Sequence, residues 1–128
     1  MSFLKNMFGA SQGGEEVSKV GWRQLTNLGQ LNEIMDASAE KPVLIFKHST
    51  RCGVSRMVLR QFESEFDTEE KITPYFLDLL EHRNISNEIA NRFGVVHQSP
   101  QLIVVKDGKA VYNTSHSDIQ AAKLDRFI

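Results

Sequence analysis

Two hydrophobic periods alternate along the chain. After Trp22, the apolar residues Leu25, Leu28, Leu31, Ile34 and Met35 recur at helical spacing, and Thr26 or Asn27 is available as a cap. This predicts a first packing helix. Pro42 interrupts it, and Val43-Leu44-Ile45-Phe46 is a continuous apolar run of strand length. Such a run predicts a central strand buried on both faces and ending at Lys47 or His48. From Cys52 onward, Val54, Val58, Leu59, Phe62 and Phe66 restore the helical period, and Asp67-Thr68-Glu69-Glu70 closes that segment. Residues 73–78 read as a strand, and Ser86 can cap a helix carrying Ile89, Ala90 and Phe93 that Gly94 stops. Residues 101–105 and 110–113 read as strands on either side of Asp107-Gly108, a pair suited to a two-residue hairpin turn. A last helix is predicted over about residues 117–127, from Ile119, Ala122, Leu124 and Phe127. The order predicts an α/β domain whose mixed central sheet is covered by helices on both faces.

Composition adds few constraints. With 128 residues, 41% hydrophobic and 24% charged, the chain suits one domain with an ordinary core. It is expected to divide into a flexible tail over residues 1–18 and a domain over 19–128. In the tail, Phe3, Leu4, Met7 and Phe8 could share one face of a short helix ahead of Gly9-Ala10-Ser11-Gln12-Gly13-Gly14. Lys5 stands alone there, without a sustained apolar run or a small-residue cleavage site, so neither a secretory signal nor a spanning helix is expected. A formal net charge of -1 and a pI near 6.4 supply no general attraction to nucleic acid or anionic membrane. A single cysteine cannot close an internal disulfide, which makes a reducing cytoplasm the expected location.

That cysteine carries most of the candidate chemistry. Cys52 follows the polar segment His48-Ser49-Thr50-Arg51 at the turn from the apolar strand into a helix. A thiol at a helix start meets unpaired backbone N–H groups and the positive end of the helix dipole, which favour thiolate over thiol. Arg51 and Arg56 add positive charge nearby in sequence. Free cysteine is also often a small buried hydrophobe, but the surrounding Ser, Thr, Arg and Gly argue for a reactive group. One cysteine and scattered histidines make no self-contained zinc pattern, and His48, His97 and His116 stay undecided between proton-holding and structural roles.

The element order, with a cysteine loop after the first strand and a Ser-Pro ahead of the hairpin, resembles the thioredoxin fold. More specifically, His48-Ser49-Thr50-Arg51-Cys52-Gly53-Val54-Ser55-Arg56, Ser99-Pro100-Gln101, the Lys-Asp-Gly-Lys hairpin and Ser115-His116 resemble the YtxJ family of monothiol bacilliredoxin-like proteins. That family usually has proline after the cysteine, where this chain has Gly53. The resemblance implies that Cys52 exchanges with disulfides and that bacillithiol is removed from modified protein cysteines. It implies S-thiolated client proteins as partners and a low-molecular-weight thiol as co-substrate, with no metal and no organic cofactor. It also implies a cis bond before Pro100, with the Ser99 backbone pairing to an extended substrate beside the cysteine.

Ser55 stands where a two-cysteine relative would hold its resolving thiol. A hydroxyl cannot resolve a mixed disulfide, so an external thiol must. Ser55 can either donate to the Cys52 thiolate or satisfy backbone in the first helical turn. Lys47, Arg51 and Arg56 could receive the carboxylates of an acidic small thiol, or be solvated charges. Two other functions compete. Cys52-Gly53-Val54-Ser55 is one residue away from the Cys-Gly-Phe-Ser loop of monothiol glutaredoxins that carry iron-sulfur clusters. A non-catalytic binding module using the Ser99-Pro100 surface is the third reading.

Overall fold

A computed structural model describes residues 20–128, so the tail expected over residues 1–18 lies outside the described residues. The first element, β1 (Arg23–Gln24), is a two-residue exposed strand that no periodicity could announce. It is followed by α1 (Gly29–Ala37), β2 (Val43–His48), α2 (Gly53–Glu65), β3 (Thr73–Asp78), α3 (Arg83–Phe93), β4 (Gln101–Lys106) and β5 (Lys109–Ser115). One five-stranded sheet has the order β1-β3-β2-β4-β5. β1, β3 and β2 run parallel, β4 is antiparallel to β2, and β5 is antiparallel to β4.

Strand alternation divides the interior into two cores. Val43 and Ile45 of β2, Tyr75 and Leu77 of β3, and Ile103 and Val105 of β4 face α1 and α3, meeting Leu31, Ile34, Ile85 and Ile89. Leu44, Phe46, Leu102 and Val104 face the other way, against Phe62 and Phe66 from α2 and Ile119 and Leu124 from the C-terminal segment. β2 is buried along its whole length, as an apolar run on a central strand requires. Asp107 and Gly108 both have positive φ, 53° and 75°, the left-handed pair that a tight hairpin turn needs.

One packing position and two helix boundaries differ from the hydropathy reading. At α1, Asn27 and Gln30 form a reciprocal box: Asn27 Oδ1 accepts the Gln30 N–H at 3.1 Å and Gln30 Oε1 accepts the Asn27 N–H at 3.0 Å. This box turns Leu28 outward to 44% exposure, off the packing face. Ser86 does not cap α3, which starts three residues earlier at Arg83, and its side chain is buried. The C-terminal helix divides into two 3₁₀ segments, His116–Asp118 and Ala121–Phe127. Ala121 and Leu124 are buried three apart, the repeat of a 3₁₀ rather than an α-helix.

Candidate active site

The loop after β2 is closed by its own side chains. Ser49 donates its N–H to Ser55 Oγ (3.1 Å), Cys52 donates its N–H to Ser49 O (3.2 Å), and Arg56 Nη1 donates to Thr50 O (3.0 Å). Cys52 is thereby the N-cap residue of α2, in extended conformation (φ -100°, ψ 121°), with its carbonyl accepting the Arg56 N–H at 3.1 Å. Its side chain makes no capping hydrogen bond to the amides of the first helical turn. The residue is half-buried.

Ser55 takes the backbone role of its two alternatives. It is fully buried, and its hydroxyl is occupied by the Ser49 amide and by His48 Nδ1 at 2.8 Å. Among the described residues, no hydrogen bond links it to Cys52. Burial holds the His48 pKa below its ordinary value, Asp78 and Glu63 pull it up, and Arg56 adds to the lowering. With the imidazole neutral, Ser55 donates to Nδ1 while accepting from Ser49, a short chain that ties the end of β2 to the first turn of α2.

Lys47 requires a correction. Its ammonium does not face solvent and so does not meet an arriving carboxylate: the side chain is 0% exposed, between β2 and α3. It continues the Val43–Ile45 face, and Nζ donates to Ser86 O at 3.3 Å and lies 3.3 Å from His97 Nδ1. Desolvation lowers its pKa to about 8. A lysine directly after an apolar run reads as a strand-end charge, because the helix above it is invisible in local sequence.

Arg51 and Arg56 are exposed. Arg51 joins Thr50, Asp78, Leu80, Glu81 and Arg83 around an open cleft of about 570 Å³ beside the cysteine loop. Sequence reasoning missed the last four. They run from the end of β3 to the start of α3, a stretch that reaches this edge because β3 runs parallel to β2, with His48 opposite Asp78.

Ser99 and Pro100 lie at the same end of the sheet. β4 is antiparallel to β2, so Gln101, at its start, pairs with Lys47 near the end of β2. The Ser99–Pro100 bond is cis, Pro100 is buried, and its carbonyl accepts the His116 N–H at 3.1 Å. Ser99 Oγ is enclosed with no hydrogen-bond partner among the described residues. No group of three or more His, Cys, Asp or Glu suited to a metal occurs among the described residues. No helix described is long and apolar enough to cross a membrane.

Residues 23–124 match the model of the family described as monothiol bacilliredoxin BrxC. The chain belongs to that family. Among solved structures, a candidate oxidoreductase with a thioredoxin fold is 30% identical, over 80% of this chain and 89% of its own, with a TM-score of 0.70. Thioredoxin from Malassezia sympodialis is 19% identical over 91% of this chain and 95% of its own, with a TM-score of 0.66. Thioredoxin from Fasciola hepatica is 19% identical over 83% and 95%, with a TM-score of 0.63. The last two share the fold alone. This bacilliredoxin-family chain therefore has the thioredoxin fold and is a thiol oxidoreductase with one cysteine, Cys52.

Proposed function

We propose that the protein removes bacillithiol, or a similar low-molecular-weight thiol, from mixed disulfides on client proteins. The observation that carries this reading is the lone cysteine at the N-cap of α2, partly exposed, in a chain of the monothiol bacilliredoxin family. The Cys52 thiolate attacks the small-thiol sulfur of the client's mixed disulfide, and the client leaves as a thiolate that takes up a proton. A second small thiol, deprotonated, then attacks the sulfur now bonded to Cys52, forming the small-molecule disulfide and restoring Cys52. Ser55 holds no sulfur for an internal second step, which supports external resolution. The exchange needs neither metal nor organic cofactor, and it suits a reducing cytoplasm.

The cleft lined by Arg51, Arg83, Asp78 and Glu81 suits a small polar thiol carrying both acidic and amino groups. Arg51 also adds positive charge beside the thiolate. Ser99 and Pro100, at the same end of the sheet, present backbone to an extended client segment.

The decisive experiment is mass spectrometry of the purified protein after mixing with a bacillithiolated test protein. The expected outcome is one small-thiol adduct on Cys52 in the wild type and none in Cys52→Ser. No adduct, with an iron-sulfur chromophore after anaerobic reconstitution with small thiol, would replace this reading by a cluster carrier. Neither signal would leave a binding module.

A further inference from the structure

Residues 96–98, which lead into the Ser99–Pro100 edge, are each gripped by a fully buried polar side chain. Gln101 Nε2 donates to Val96 O at 2.9 Å, and Gln101 Oε1 accepts the Gln98 N–H at 3.3 Å. Between them, His97 Nδ1 lies 3.3 Å from Lys47 Nζ and 3.2 Å from Ser86 Oγ. Lys47 and Gln101 are direct cross-strand partners, and both are 0% exposed.

This is an expensive way to fill a core. A buried ammonium loses its hydration, and neutral acceptors at 3.3 Å return only part of that loss. Among the described residues no carboxylate pairs with Lys47. Methionine would fill similar volume on the Val43–Ile45 face without the desolvation. What the two polar side chains supply instead is a defined path for the backbone above them.

We propose that Lys47 and Gln101 are positioning residues for thiol exchange. They set residues 96–98, and through them the Ser99 main chain that receives an extended S-thiolated client segment beside Cys52. The inference rests on the reading in which Ser99 and Pro100 dock the substrate.

The contact has a built-in condition. A charged Lys47 can donate to Nδ1 only while the His97 ring is neutral with its proton on Nε2. A protonated ring would turn an N–H toward the ammonium and end the contact. Burial holds the His97 pKa below its ordinary value, and Lys47 from β2 and Arg83 from α3, both cationic, add to the lowering. The Lys47–His97 contact therefore holds at neutral pH and opens in acid, while the Gln101 bonds persist.

The test compares an S-thiolated peptide with a small nitrobenzoate disulfide that offers no backbone to pair. In the full chain, Lys47→Met should raise KM for the peptide about tenfold more than for the small disulfide, as loss of one charged hydrogen bond predicts. His97→Ala, at a residue exposed overall whose Nδ1 edge faces Lys47 and Ser86, should behave alike. His97→Gln keeps an acceptor, so it should hold KM near the wild-type value and remove the rise of peptide KM in acid. NMR of the histidine rings adds a readout independent of activity: the His97 midpoint should move up in Lys47→Met. Unchanged peptide KM in His97→Ala, or identical His97 titration in wild type and Lys47→Met, would overturn the proposal. Failure of the bacillithiol assignment reads differently, as equal reactivity toward peptides carrying other small thiols with the KM ratios between variants preserved.

Discussion

The two ends of the central sheet are built from different materials. At the hairpin end, Val43 pairs with Val105 and Leu44 with Val104, all fully buried and apolar. One buried polar residue serves that end: Ser38, whose carbonyl and hydroxyl accept the N–H groups of Asp107 and Gly108 at 2.9 and 2.8 Å. At the other end, where the cysteine loop and Pro100 emerge, lie the other five buried polar residues described: Lys47, His48, Ser55, Ser86 and Gln101. The apolar end supplies stability from burial. The polar end gives some of it up to hold two loops in fixed places.

The comparison can be tested by substitution in the apolar interior and at each end. Phe62 packs the α2 face against Phe46 and Phe66, with ring centroids 5.6 and 5.2 Å away. Phe62→Ala should cost ~3–5 kcal/mol in denaturant unfolding. A cost under ~1 kcal/mol would mean that the apolar face is not where stability resides.

Lys47→Met should act in the opposite direction and only in part of the pH range. The folded pKa is about 8 against an ordinary 10.5, so between these values the unfolded chain binds more protons. Stability of the wild type therefore rises with pH across that window, and the burial penalty is complete below it. Lys47→Met should flatten that rise and gain on the order of 3 kcal/mol of electrostatic relief near neutral pH, less whatever the lost hydrogen bonds contributed. Unfolding curves from pH 7 to 11 would show it. An unchanged slope would mean that the ammonium is hydrated.

Ser38→Ala removes one acceptor at the hairpin end and should cost ~1–2 kcal/mol without altering exchange at Cys52. The smallest expected effect is at the cysteine loop itself. Gly53 is the first residue of α2, and a Cβ there meets only Arg56 Nη2 at 4.0 Å. Proline suits this first position, and the extended Cys52 ahead of it is compatible. Gly53→Pro should stabilise the fold by ~0.4–1 kcal/mol, read as a small rise in Tm. A fall would show that the Gly53 amide or its backbone freedom is needed.

The parts of the site legible in the sequence were those with local signatures. Cys52 declared itself by its place between an apolar run and a helical period, and Gly94 and Asp107-Gly108 by the left-handed backbone they adopt. Ser55, Lys47 and Gln101 were opaque for a different reason. Each lies at an element end whose local sequence looks like a surface, and each is buried by something distant in the chain. His48 lies seven residues from Ser55, and Ser86 lies 39 from Lys47. The cleft residues Asp78, Leu80, Glu81 and Arg83 span the passage from β3 into α3, whose own pattern says only that a strand has ended.

Periodicity and one cysteine alone thus determined the mixed α/β sheet, the order of its elements from α1 to β5 and the candidate thiol, because burial period and helix start are encoded within a few residues. Only the tertiary structure decided which polar side chains are buried and whom they hold. Parallel β2 and β3 with antiparallel β4 bring three chain segments to one edge. Contacts across that edge depend on strand register and on the helix packed above it, and no local pattern carries either.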